Sequence, residues 1–519
     1  MATFNGDGAA NIFTGGADSD KAYGNGGDDQ LSGNGGEDIL VGGAGSDWLD
    51  GGDSNDTLYS GDETGPFDHP LVMNPISLPL LDTGAEVDTL LGGGGGDRLF
   101  AGYGDNVDGG ADGSTGDYLY ISFLGAASGV TVDFRLVSQV VGGGTIQNVE
   151  NISWIQGSNH ADDINAGSFQ NNGYSEFTMV YGMGGDDKLV AGYYTGQIYG
   201  GDGNDFVDAR PSQYIQKVDG GAGDDILYGG GSLSTVFGGD GNDTIYHNYV
   251  TWGGAGNDTI VMSFSFYTGA AVFGEAGDDD ITAAAGNQFP ISGGSGADIL
   301  RGNSGNDILV AGDFAPNSVT PDYDMGLERD RLTGADGNDS LSIGYGDDAD
   351  GGTGSDSLRL SFGGRTEGVT FDTAGIVSGQ PFLLGGGTIQ NVETLAYLRG
   401  SNFDDHLTIA TQATMLTVDA GDGWDVIISY ASPVTLYGGA GNDWFITGTA
   451  ADYYNGGAGF DYVHYISSMS GVTVSLAPPG MMGFGGGDTL VDVEGVNGSE
   501  YADNLTGNDV ANFLGGQTG

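Results

Sequence analysis

Residues 15 to 59 read GGADSDKAY (15–23), GNGGDDQLS (24–32), GNGGEDILV (33–41), GGAGSDWLD (42–50) and GGDSNDTLY (51–59), five blocks of nine without a slip in register. Each block opens on glycine and holds an aspartate in sixth place: Asp20, Asp29, Asp38, Asp47 and Asp56. The eighth place holds Leu31, Leu40, Leu49 and Leu58. Glycines of this density mark a backbone that turns tightly or approaches another chain closely. Six residues of each block therefore turn and three run straight. In the straight part the eighth residue points to one face while its neighbours point away, as in a short strand with one buried side.

Two blocks, eighteen residues, carry the chain once around a flattened coil, which places Asp20 beside Asp38 and Asp29 beside Asp47. Carboxylates one strand spacing apart, about 4.8 Å, repel unless a cation lies between them. Turn carbonyls add further oxygen ligands, and an all-oxygen set without His or Cys favours calcium.

The nonapeptide resembles the GGxGxDxUx repeat of the RTX family, where U is aliphatic. That resemblance implies an all-β, right-handed parallel β-roll or β-solenoid with multiple bound calcium ions, arranged as an elongated tandem array. It also implies a bacterial protein secreted by a type I system and folded by calcium outside the cell.

Composition agrees with a metal-dependent fold. The 519 residues include 105 glycines and carry 72 acidic against 12 basic side chains, a net charge of −60. Glycine far above the ordinary share of about 7%, without collagen's period of three, is structural here. With 38% hydrophobic residues there is enough apolar material for a core. Without a cation this charge density holds the chain open, and with one it closes. So few basic residues exclude nucleic acid as a partner. There is no cysteine, so disulfides and thiolate sites are excluded. No transmembrane segment and no cleavable signal peptide are expected. The sequence stops at LGGQTG, two glycines into another block, which suggests a parent chain continuing past Gly519.

Along the chain the reading divides as follows. Residues 1–59 are an N-terminal cap and nonapeptide roll, with Ile12 and Phe13 expected to cover the core. A Pro-rich insertion occupies 60–86. Residues 87–181 hold repeat blocks at Asp88 and Asp97 and a long-strand module ending at Asp162. Over 182–310 the acids Asp187, Asp205, Asp225, Asp243, Asp258, Asp279 and Asp298 recur at about one whole turn, placing metal mainly on one edge, and Asp307 precedes the second insertion. A second insertion spans 311–329. The second long-strand module, 330–410, carries Asp330, Asp339, Asp356 and Asp405. Residues 411–519, with Asp425, Asp443 and Asp461, contain a shorter third copy. The string GGGTIQNVE occurs at 142–150 and again at 385–393, so the array is duplicated internally.

All these aspartates are expected to ligate calcium where blocks stack one turn apart, with an affinity of roughly 10⁻⁴ to 10⁻³ M. Asp117 and Asp503, lacking a stacking partner by spacing, read as solvated turn residues. No HExxH helix and no GxSxG elbow is present. The histidines (His69, His160, His247, His406, His464) are scattered, His160 and His406 reading as turn-surface residues, so no enzymatic activity is expected of this chain. Asp68 and His69 lie together in the first insertion without a counterpart in the second.

The expected role is that of a cell-surface or extracellular structural component, such as an adhesin, surface-layer or filament protein. Partners would be calcium, and self-association or cell-surface glycan. Two alternatives stand beside it: the repeat region of a secreted hydrolase or epimerase whose catalytic domain lies elsewhere, and a calcium-dependent glycan-binding module using Tyr193, Tyr194, Phe264, Phe266 and Tyr267.

Overall fold

The computed structural model describes residues 1–61, 82–84, 86–112, 116–167, 177–231, 234–247, 249–262, 271–286, 289–312, 324–412, 414–429, 433–448, 450–477 and 487–518. The central parts of both insertions, the Asp68 and His69 pair, and the aromatic residues Phe264, Phe266 and Tyr267 lie outside them. The chain divides into two compact units, Met1–Gly254 and Ala255–Gly519. Both are all-β parallel rolls. The described residues contain no α-helix, only a single 3-10 turn, Thr373–Ser378.

In the first unit the period of nine becomes alternate strands on two sheets. Thr3–Asn5, Lys21–Gly26, Ile39–Ala44 and Thr57–Tyr59 pair in parallel, Lys21 facing Ile39 and Ile39 facing Thr57. Ile12–Thr14, Gln30–Gly35 and Trp48–Asp53 form the other sheet, Gln30 facing Trp48. Each strand thus pairs with the one eighteen residues on, and the eighth-position leucines stack, Leu31 on Leu49 and Leu40 on Leu58, all fully buried. Burying such a side chain stabilises by about 1.5–3 kcal/mol. The column continues as Val180, Ile198, Val218 and Val236 on one sheet and as Ile164, Leu189, Val207, Leu227 and Ile245 on another.

At the start of the chain Phe13 stacks on Phe4 at 5.3 Å, but Ile12 is 75% exposed. Neighbours on a strand face opposite ways, so only one of the two expected capping residues packs.

The first insertion leaves the register intact. Thr57 pairs directly with Arg98 and Trp48 with Thr89, each forty-one residues on.

The second unit repeats the scheme, with Ile260, Ile281, Leu300, Leu332 and Ala349 in one column and Leu407, Ile427, Phe445 and Val463 in another.

One feature interrupts the parallel pattern. Ser138–Val141 pairs antiparallel with Gly144–Gln147, and Phe382–Leu384 with Gly387–Gln390. The two-residue turns are Gly142–Gly143 and Gly385–Gly386, all with φ between +62° and +106°. A tight hairpin turn of this kind needs positive φ at both central residues. The repeated GGG is therefore a hairpin signal.

Candidate metal centres

The sixth-position aspartate is folded back over its own turn. A Cβ at Gly24, Gly33, Gly51, Gly182 or Gly200 would run into the Oδ2 of the aspartate five residues on. This is the local reason for glycine in the first place of the block. So seated, each aspartate joins a relay in which its backbone N–H donates to the Oδ1 of the aspartate one turn further along.

Among the described residues, three relays run through the first unit. One passes from Asp20 through Asp38, Asp56 and Asp97 to Asp117 with N···O distances of 2.6–2.8 Å, and ends where Asp117 N–H donates to Glu150 Oε2 at 3.0 Å. A second links Asp29, Asp47, Asp88 and Asp105 at 2.6–2.9 Å. The third links Asp162, Asp187, Asp205, Asp225 and Asp243 at 2.7–2.8 Å.

Among the described residues, three relays of the second unit contain the aspartates expected from the sequence. Asp258, Asp279, Asp298, Asp330 and Asp347 are joined at 2.7–3.0 Å. Asp307, Asp339 and Asp356 end on Glu393. Asp405, Asp425, Asp443 and Asp461 end on Glu494. Every aspartate expected from the sequence to hold metal thus lies in one of six relays, and all are buried.

Within a relay, the Oδ1 of each aspartate after the first accepts the N–H of the one before it. The Oδ2 atoms of Asp29, Asp38, Asp56, Asp88, Asp187, Asp205, Asp225, Asp279, Asp298, Asp339, Asp356, Asp425, Asp443 and Asp461 are buried without a hydrogen-bond partner. A buried carboxylate oxygen in this state is costly unless neutralised. Burial pushes the carboxyls of Asp56, Asp187, Asp225, Asp279, Asp330 and Asp425 up to about 8, neighbouring carboxylates adding to the rise. A hard divalent cation meets this demand with the donor set present, carboxylate and carbonyl oxygen.

The relays begin differently. Asp162 and Asp405 have both oxygens served by a serine of the same turn. Ser158 N–H and Ser401 N–H donate to Oδ2 at 2.7 and 2.6 Å, and each serine hydroxyl donates to Oδ1 at 2.8 Å. Asp20 Oδ2 likewise accepts from Gly16 N–H at 2.9 Å. These three are starting caps of a stack.

Several relay members escaped the sequence reading. Asp117 is a correction: it is 1% exposed and accepts from Asp97 N–H at 2.8 Å, so it is no solvated turn residue. Its partner lies twenty residues back, beyond the nine-residue spacing. Asp503 is half-buried, its oxygens taken by Val472 N–H at 2.8 Å and by Ser499. Asp105 and Asp347 lie in GYGD segments without the GGxGxD opening. Glu150, Glu393 and Glu494 close their relays from NVE or DVE, a repetition visible in the sequence without its role.

The side chains read as bland behave diversely. His160 and His406 are exposed. His247 is buried between Ser234 Oγ at 2.9 Å and Thr251 Oγ1 at 3.1 Å, and burial pushes it down to about 4, so it is neutral. Tyr194 stacks on Tyr214 at 5.3 Å, with Tyr193 packed edge-on against both.

The family profile described as RTX calcium-binding nonapeptide repeat (4 copies) matches residues 5–40, 32–64, 181–210, 218–248, 252–261, 272–287, 291–315 and 435–463. The matched stretches cover the opening roll and most of the one-turn relays. No curated protein matches the chain.

Proposed function

We propose, for a chain that carries RTX calcium-binding nonapeptide repeats, that the aspartate relays hold its calcium ions and that calcium outside the cell converts an open, self-repelling polypeptide into the roll. The observation that carries this reading is the run of buried Oδ2 atoms inside the relays, those of Asp187, Asp205 and Asp225 or of Asp425, Asp443 and Asp461 among them, left without a hydrogen-bond donor. With a net charge of −60, the unfilled relays oppose folding, and millimolar calcium outside a cell reverses the balance.

The folded chain acts as a secreted structural or adhesive component of a bacterial surface, a surface-layer, filament or adhesin segment, with no chemistry of its own. Two features support this: no described histidine enters a relay, and the described surface is a repetitive lattice of short strands and turns. No helix among the described residues is long and apolar enough to cross a membrane. Self-association or binding to cell-surface glycan would supply its attachment.

Circular dichroism recorded together with light scattering during a calcium titration tests the reading. A cooperative gain of sheet signal, followed by scattering growth, is expected. A chain that keeps its full sheet signal in chelator would refute it.

A further inference from the structure

At the ends of the two insertions, two groups of three carboxylates come together among the described residues. Asp82, Asp88 and Asp105 each bring one oxygen to within 4.8 Å of the others, and so do Asp324, Asp330 and Asp347. One group lies in each unit, at the same offset of 242 residues (82 to 324, 88 to 330, 105 to 347). The local chain is also duplicated: D-x-G-x-E-x-D at 82–88 and 324–330, and GYGD at 102–105 and 344–347.

Within each group, two members belong to a relay, Asp88 donating to Asp105 Oδ1 at 2.9 Å and Asp330 to Asp347 Oδ1 at 3.0 Å. The third, Asp82 or Asp324, comes from the end of an insertion and belongs to no relay. It is held in place by its own turn, its Oδ1 accepting from Gly84 N–H or Gly326 N–H at 2.7 Å. Its Oδ2 reaches over Gly102 or Gly344, where a Cβ would displace it, and those glycines donate N–H to Asp105 Oδ2 and Asp347 Oδ2 at 2.7 Å.

Asp88 is 1% exposed and Asp324 is 5% exposed, and the Oδ2 of each has no hydrogen-bond partner. Arg329, next to the second group, bonds Asp348 at 2.8 Å, and its counterpart in the first copy is Val87. What is duplicated is therefore the acids, without a base to balance them. A contrast lies in the third copy, where buried Asp452 and Asp488 form the same relay at 2.9 Å. There tyrosine hydroxyls fill the remaining positions, Tyr454 donating to Asp452 Oδ2 at 2.8 Å and Tyr465 to Asp488 Oδ2 at 3.1 Å.

We propose that each trio is a calcium site of its own, in which an aspartate carried by the insertion completes a ligand set that the repeat turns do not supply. Calcium takes oxygen ligands at about 2.3–2.6 Å, so one ion can touch three oxygens this close together. The ion ties the end of each insertion to the roll. The proposal rests on the relay reading for the kind of ion and for two of the three carboxylates in each trio, and adds to it the aspartate from the insertion.

The test uses the full chain and calcium chloride. Bound calcium per chain is measured by equilibrium dialysis and metal analysis for the parent, Asp82→Asn, Asp324→Asn and the double variant. Asparagine retains the Oδ1 that accepts from Gly84 or Gly326. Each single variant is expected to lose one ion and the double variant two, with the calcium-dependent sheet signal retained. Unchanged stoichiometry would overturn the proposal, because the trio then holds a shared proton. Loss of most ions together with the sheet signal in both single variants would also overturn it. A parent chain that binds no calcium would remove the relay reading as well, whereas a calcium-binding parent with unaltered variants removes this inference alone.

Discussion

Asp225 is the fourth member of a five-member stack: its Oδ1 accepts from Asp205 N–H, and its own N–H donates to Asp243 Oδ1. If ions lie between successive aspartates, replacing Asp225 removes ligands from two sites at once. A filled site at about 100 times its dissociation constant contributes roughly 2.7 kcal/mol, so two are worth about 5 kcal/mol. Alanine also deprives the Asp205 N–H of the acceptor it meets at 2.7 Å, a further loss of about 1–3 kcal/mol. Against a total stability of about 5–15 kcal/mol, Asp225→Ala should leave this stack unfolded at calcium levels that fold the parent. Asp225→Asn keeps the acceptor and should show the calcium-linked part alone. Asp163→Asn is the control, because it makes the same charge change at an exposed site whose partner is Lys188 at 2.9 Å, where an ion pair contributes at most about 1 kcal/mol. The assay is sheet circular dichroism against free calcium, followed by urea denaturation at saturating calcium. Equal calcium midpoints for the parent and both Asp225 variants would refute the reasoning, as would an equal shift for Asp163→Asn.

In calcium-free protein the pH dependence should follow the raised carboxyls. Asp187, Asp225, Asp279 and Asp425 bind protons more tightly folded than unfolded, so their contribution is fully present below the ordinary carboxylate range near 4 and is lost as pH rises through about 8. Sheet signal in calcium-free buffer should therefore be greater at acid pH than at alkaline pH, and a flat or opposite profile would contradict the burial argument. Leu436→Ala, at a fully buried position between Val418 and Tyr454, should cost about 2–5 kcal/mol by urea denaturation in calcium. Glu393→Ala removes the acceptor of the Asp356 N–H at 2.7 Å and should cost about 1–3 kcal/mol by the same measurement. Glu393→Gln, which can keep an oxygen there, should recover most of that loss.

The one-turn spacing of Asp20 and Asp38, and of Asp29 and Asp47, followed from the sequence because glycine, aspartate and leucine each recur at a place dictated by a local requirement. Glycine is where the aspartate folds back, aspartate is where the next turn's N–H arrives, and leucine is where the strand faces inward. Such rules operate within nine residues, so one chain displays them. Asp105 and Asp117 stand about one turn past Asp88 and Asp97 but without the nonapeptide around them, and Asp117 reaches Glu150 thirty-three residues on, across the hairpin module. Asp82 and Asp324 share a D-x-G-x-E-x-D string, but that string does not say which carboxylates they meet. Only the closure of the roll across the insertion, with Thr57 against Arg98 and Trp48 against Thr89, determines which carboxylates face one another. Contact between distant residues is set by how the sheets register, and register is a property of the packed core as a whole.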